Sequence, residues 1–253
     1  MYNNTNINLI SVLCILTICT IGAQEKLPLL PNGWHVHDTN RPLPKKITPA
    51  ETHLGAPSDA IVLFNGENFD QWTTKNRDSI TWKLSNGFMQ VTPRSGSIYT
   101  KQSFGDIQLH IEWFVPEEPT KQSQKKGISG IFLMGIYKLQ VIDAEENQEY
   151  ADGTVGAIYG QTPALVNAAK ASGKWQSYDV IFTAPVFKNE TLVSPAYITV
   201  FLNGVLIQNH TEIYGPAAYK TTIPYKAHPE KLPLMLQDHG QPVRFRNIWV
   251  RAL

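Results

Sequence analysis

From Asp106 to Val115 the chain reads "DIQLHIEWFV", an alternation of apolar and polar residues with period two. A helix scatters such a pattern around its circumference, whereas a strand gathers it into one apolar and one polar face. Ile107, Leu109, Ile111 and Trp113 point one way, and Gln108, His110 and Glu112 the other. Short runs of the same character recur: "AIVLF", "ITWKL", "FMQV", "SGIFLMG", "YKLQVIDA", "WQSYDVIF", "AYITVFLNGVLIQN", "LPLMLQ" and "VRFRNIWVRAL". Gly, Pro and Asn punctuate them, and Asn86-Gly87 between two such runs is a hairpin signal. Residues 163–171, "PALVNAAKA", suggest a short helix. The pattern predicts an all-β jelly-roll sandwich occupying residues 59–253 as one domain.

Residues 7–23, "INLISVLCILTICTIGA", are largely apolar and uncharged, with a small residue at the end. That is the form of a secretory signal peptide over residues 1–23. The expectation is export to the periplasm or beyond, with no transmembrane span in the mature protein. Lipid anchoring through Cys19 is the alternative, with bulky Ile18 standing where a small residue is usual. Both cysteines, Cys14 and Cys19, fall in this segment, so the mature chain has no thiol nucleophile and needs no disulfide. Residues 24–58 are rich in Pro and polar groups and read as an extended arm.

The formal net charge is +1, and no Lys/Arg run exceeds a pair. Nothing here would draw in nucleic acid. No Rossmann glycine fingerprint, P-loop, G-x-S-x-G or H-E-x-x-H occurs. The polar segment 116–127 interrupts two strong strands and reads as a solvated loop, the alternative being a lid.

The polar residues set among strands carry the functional question. Gln237, Asp238 and His239 follow the apolar run 234–236, and Arg244 and Arg246 lie in the next strand. By alternation the two arginines share a face with Ile248 and Val250, so a carboxylate should meet them, Asp238 being nearest in sequence. The plain reading is a structural Asp–Arg pair, and the sharper one is a pocket lined by Arg246, Asp238 and His239. Glu112 and His110 are expected on a wet outer face, or on the floor of a concave site. In "YKLQVID", Lys138, Gln140 and Ile142 face away from Tyr137, Leu139, Val141 and Asp143. Asp143 reads as a turn cap or a ligand, and Trp82 as core or as a sugar-stacking ring.

"LFNGENFDQW", "ITWKLSNGFMQV", "SGIFLMGIYKLQVID", "GAIYG", "GKWQSYDVIF", "FLNGVLIQN" and "LQDHGQPVRFRNIWVR" occur in an order that resembles the 3-keto-disaccharide hydrolase family. The resemblance spans residues 59–253. It implies a concanavalin-like β-sandwich in exported bacterial proteins that act on glycosides oxidised at carbon 3 of the sugar. Two departures stand out: Ile128 where members usually carry Asn, and Lys138 where they often carry Glu. Trp175-Gln176 in place of Trp-Asn is a milder one.

A 3-keto sugar acidifies its carbon-2 proton, so a base can form an enolate and the aglycone can leave carbon 1. For this chemistry His239 is the expected base and Arg246, or Arg244, the group at the enolate oxygen. Asp238 would orient the imidazole. Glu112 and Gln140 would bind hydroxyls or act as acid, with Asp143, Tyr159, Gln237 and Trp82 as further substrate contacts. A divalent cation could replace the arginine, held by Glu112, Asp143 and His239. The partner is then a carbohydrate. The rival readings are a carbohydrate-binding module without catalysis and a structural exoprotein.

Overall fold

The computed structural model describes residues 27–117, 125–144 and 150–253. The chain divides into two compact units, one ending at Lys46 and one running Ile47–Leu253. In the first, an antiparallel bridge joins Leu29 to His35, whose Nδ1 lies 2.7 Å from the Leu27 carbonyl oxygen. The apolar segment 7–23 with Cys14 and Cys19 lies outside the described residues, as does 118–124 of the polar loop. No helix among the described residues is long and apolar enough to cross a membrane.

The second unit is built from strands β1 (Ile61–Phe64), β2 (Trp72–Thr74), β3 (Lys83–Ser85), β4 (Phe88–Gln90) and β5 (Ile98–Phe104). Then come β6 (Ile107–Phe114), β7 (Ser129–Leu133), β8 (Tyr137–Val141), β9 (Trp175–Thr183) and β10 (Val186–Lys188). The last are β11 (Thr191–Ser194), β12 (Ala196–Leu202), β13 (Val205–Ile213), β14 (Leu232–Leu236) and β15 (Arg244–Ala252). The larger sheet runs β13-β12-β9-β6-β15-β4-β3, with β1 also paired to β15. The smaller runs β2-β5-β14-β7-β8, and β10-β11 form a separate hairpin. Every strand pairing recorded is antiparallel, as a jelly-roll sandwich requires.

Local chemistry explains the corners. Asn86 and Gly87 both take positive φ, 48° and 78°, the geometry of the two-residue turn that joins β3 to β4. Asn203 and Gly204 do the same between β12 and β13. The apolar set of β6 meets Tyr178, Val180, Phe245 and Val250 of the larger sheet. Across the interior they pack on Ile131, Leu133, Leu139, Val141, Leu234 and Leu236 of the smaller sheet. Each sheet therefore turns its other face outward.

Three expectations need correction. Residues 163–171 form no helix. Their backbone is held by tertiary partners: Leu165 N donates to Ile207 O, Asn203 Nδ2 to Ala168 O, and the Gln176 amide bonds both N and O of Lys170. Nine residues cannot sustain a helix against such competition. Arg244 and Arg246 do not share a face with Ile248 and Val250. Asn247, at φ 46°, is an extra residue in β15: Arg246 pairs with Glu112 and Trp249 with His110, so three steps on β15 match two on β6. This bulge reverses the alternation, so that Phe245, Ile248 and Val250 are all buried. Finally, His110 and Glu112 are buried, not wet, at 0% and 6% exposure. The chain around Leu54 covers them, its carbonyl accepting from Asn247 Nδ2 at 2.9 Å and Trp249 Nε1 at 3.1 Å.

Candidate active site

The polar residues singled out in the sequence fall into two groups on opposite faces of the sandwich. On the outer face of the larger sheet, Glu112 accepts from Arg246 Nε at 2.7 Å and from Asn247 Nδ2 at 2.8 Å. The Arg246 guanidinium lies 4.1 Å above the Trp175 ring. His110 Nδ1 is 2.7 Å from Asp179 Oδ1, and its ring stacks on Trp249. Burial pushes the Glu112 carboxyl up, but His110, Asn247 and Arg246 outweigh it and hold it down at about 2. Burial likewise lowers His110, but Asp179 and Glu112 outweigh it and the net shift is upward. His110 Nε2 lies 3.8 Å from Glu112 Oε1, too long for a hydrogen bond but close enough for charge to act. Arg244 donates to Gln90 Oε1 at 2.8 Å and lies over Phe88 and Phe114. This network clamps β6, β9 and β15 together, and His110 Nε2 is buried within it without a hydrogen-bond partner.

The outer face of the smaller sheet is different. A cavity of about 430 Å³ opens there, lined by Ile128, Phe132, Lys138, Tyr159, Gln237 and His239, with Ala217 to Tyr219 as its far wall. That volume suits a small-molecule ligand. Lys138 and Phe132 are cross-strand partners on β8 and β7. The far wall is held by Gln161, whose Nε2 donates to Gly215 O at 2.9 Å and whose Oε1 accepts from Tyr214 N at 2.7 Å. Gln237 follows β14: its N donates to Gly130 O, and its carbonyl accepts from Ser129 Oγ at 2.7 Å. The Gln237 Oε1 is buried without a hydrogen-bond partner.

His239 sits at the exposed mouth. Asp238 fixes its turn, with Oδ2 accepting from Gly96 N at 2.9 Å and Oδ1 from Gly240 N at 2.8 Å. Gly240 has φ 77°, a conformation that L side chains resist. Asp238 thus pairs with no arginine; it caps a loop, because the arginines project from the other sheet. Partial burial and the neighbouring Lys138 charge hold the His239 imidazole below its usual value, which favours its neutral form.

Lys138 is 5% exposed, in mid-strand. Burial pulls its ammonium from 10.5 down to about 7. Its Nζ lies 4.3 Å from the Tyr159 ring centroid. A ring face favours a cation by about 0.5–2 kcal/mol, less than the roughly 5 kcal/mol that so large a fall represents. The amine therefore stays shifted towards neutrality.

The remaining expected contacts are structural. Gln140 is fully buried, its Nε2 donating to Gly153 O at 2.8 Å, and it does not line the cavity. Asp143 is 5% exposed, accepts from Ser172 Oγ and lies 3.5 Å from Lys126 Nζ. Trp82 is core: it stacks on Phe245, and its Nε1 donates to Gly96 O at 2.9 Å. Glu112, Asp143 and His239 do not come together, and among the described residues no group of three His, Cys, Asp or Glu could hold a metal ion. The sequence reading therefore missed how the cavity is walled. Its far wall, 217–219, carries no periodicity or motif that could have marked it. Ile128 and Lys138, the two departures noted above, both line the cavity.

Fold and cavity together define an antiparallel β-sandwich with a small-ligand pocket that places a buried amine beside an imidazole. The chain belongs to the family of 3-keto-alpha-glucoside-1,2-lyase-like domains, whose model matches residues 59–251. It is 23% identical over 247 residues to a 3-keto-disaccharide hydrolase of Bacteroides thetaiotaomicron, a match covering 79% of this chain and 81% of that one. The crystal structure of a candidate glycosyl hydrolase from Parabacteroides distasonis is 40% identical, with a TM-score of 0.80, covering 90% of this chain and 100% of that chain. A second from the same organism, 20% identical with a TM-score of 0.58, covers 82% of this chain and shares the fold.

Proposed function

We propose that this protein is a glycosidase-like enzyme that cleaves 3-keto-glycosides at the cavity on the smaller sheet. The observation that carries the reading is the pairing there of His239 and Lys138, both shifted to lose their protons more readily than usual. The neutral His239 imidazole takes the carbon-2 proton of the sugar. Lys138 meets the carbon-3 ketone, doing the work the sequence assigned to Arg246, which lies on the other face. Phe132, Tyr159 and Tyr219 offer ring faces for the sugar, and Gln237 Oε1 an acceptor for a hydroxyl. Loss of the aglycone from carbon 1 leaves a 2-hydroxy-glycal, and addition of water to it completes a net hydrolysis.

Incubation with a 4-nitrophenyl 3-keto-glucoside tests this reading. Nitrophenol release together with a transient enone absorbance is expected, and His239→Ala should lose both. Sugar binding without release, over several aglycones, would return the protein to the carbohydrate-binding modules. We also propose export through residues 7–23. Sequencing the amino terminus of protein from the native host should find cleavage near Ala23, and lipid on Cys19 would point to anchoring instead.

A further inference from the structure

We propose that Lys138 is a covalent catalyst whose ε-amine condenses with the substrate ketone to form a Schiff base. The inference rests on the reading above that the substrate carries a ketone, and it deepens that reading.

Three observations support it. First, Lys138 is buried in the middle of β8, and no carboxylate lies within ion-pair distance of it among the described residues. Three other cations do have one: Arg246 has Glu112, Lys126 has Asp143 and Arg251 has Asp59. A lysine kept for structure would be paired, because an unpaired buried ammonium is costly and a free amine is not. Second, the lysine's stem is seated over Gly130: a methyl group there would stand 2.5 Å from Lys138 Cε and 3.0 Å from the Phe132 ring, so the glycine is what lets the side chain take this course. Third, the amine lines the same cavity as His239, so nucleophile and base address one ligand. The depressed basicity of Lys138 agrees with this geometry, since only the free amine attacks a carbonyl.

The amine adds to carbon 3. Its two hydrogens and the ketone oxygen depart as water, and the imine nitrogen takes up a proton. His239 then removes the carbon-2 proton, and that bond's electron pair forms C2=C3 while nitrogen recovers its lone pair. The enamine next forms C1=C2 and expels the glycosidic oxygen, which takes the proton from the imidazolium. Water finally adds to carbon 3 of the conjugated iminium, returning the amine, the ketone and the nitrogen's proton and leaving the 2-hydroxy-glycal. Over the elimination one water is released and one consumed, the later hydration of the glycal takes a second, and nothing is oxidised or reduced.

The full chain, mixed with a 4-nitrophenyl 3-keto-glucoside and sodium cyanoborohydride, should gain the mass of one reduced sugar on the peptide that carries Lys138. It should also lose activity only when substrate is present. In water labelled with oxygen-18, each turnover should place label in the product ketone. Lys138→Arg retains a nitrogen-bearing side chain but cannot condense, and should lose the adduct and at least about 100-fold in turnover. Lys138→Met, checked for folding by denaturation, should behave alike. Turnover with no adduct and no label beyond the background exchange of free substrate would overturn the Schiff base while leaving the 3-keto-glycosidase reading intact. Neither turnover nor adduct from the wild-type chain would remove both.

Discussion

Replacing Lys138 by methionine removes a charge that folding has to bury, and the consequence can be worked through. The folded group loses its proton at about 7, and its ordinary value is 10.5. Between those values the unfolded chain binds one more proton than the folded one, so stability rises with pH through that window. Below pH 7 both forms are charged and the full penalty applies. Above 10.5 neither is charged and the penalty is gone. One proton corresponds to about 1.4 kcal/mol per pH unit, which amounts to roughly 2–3 kcal/mol between pH 6 and pH 9. Urea unfolding of wild type and Lys138→Met at pH 6, 7, 8 and 9 gives the difference in stability, in which the other titrating groups cancel apart from His239, which feels the Lys138 charge. The methionine chain should be the more stable at pH 6, and its advantage should shrink by that amount towards pH 9. A difference that stays flat across the window would refute the reasoning, because Lys138 would then carry its usual charge in the fold.

Four further outcomes follow from the geometry. Glu112 is held at about 2 against an ordinary 4.5, so it contributes stability that is present above 4.5 and lost as pH falls towards 2; Glu112→Gln should flatten that acid limb, worth about 3 kcal/mol in acid-unfolding curves. Asp238→Ala strands the Gly96 and Gly240 amides and should cost about 1–3 kcal/mol for each that water does not reach, by chemical denaturation. Asn247→Ala combines a residue forced to φ 46° with loss of the bonds to Leu54 O and Glu112, and a thermal melt should show destabilisation of at least about 1 kcal/mol. His239→Ala should lower turnover by about 10²–10⁴-fold while leaving the melting temperature nearly unchanged, since the imidazole is exposed.

The strands were legible because alternation is a local property. The run at 196–202 carries its burial pattern in its own residue order, and so does most of 175–183, whereas in 107–114 only the apolar face follows that order because tertiary cover also buries His110 and Glu112. The Asn86-Gly87 turn announced its hairpin for the same reason: positive φ is a demand on one or two residues. The short apparent helix at 163–171 marks where local reasoning stops. Its propensity was weak, and the side chains of Gln176 on β9 and of Asn203 in the β12–β13 turn took the backbone groups a helix would have used.

The site was legible in part. Sequence order put Gln237, Asp238 and His239 at a strand junction, the family resemblance marked Lys138 and Ile128 as departures, and the structure sets four of these five on the cavity, while the fifth, Asp238, fixes the turn that carries His239. What the chain order could not reveal was which sheet each strand joins. Residues 239 and 246 are close in sequence, yet β14 lies in one sheet and β15 in the other, and the bulge at Asn247 sets the side on which the residues after it point. A period-two pattern specifies two faces but not which is covered, and one inserted residue exchanges them. Residue order therefore settled the fold class and the residue types available for chemistry. The pairing of strands into sheets decided that lysine, not arginine, stands beside the histidine, because a contact between distant residues is a property of the packed core and not of any local run.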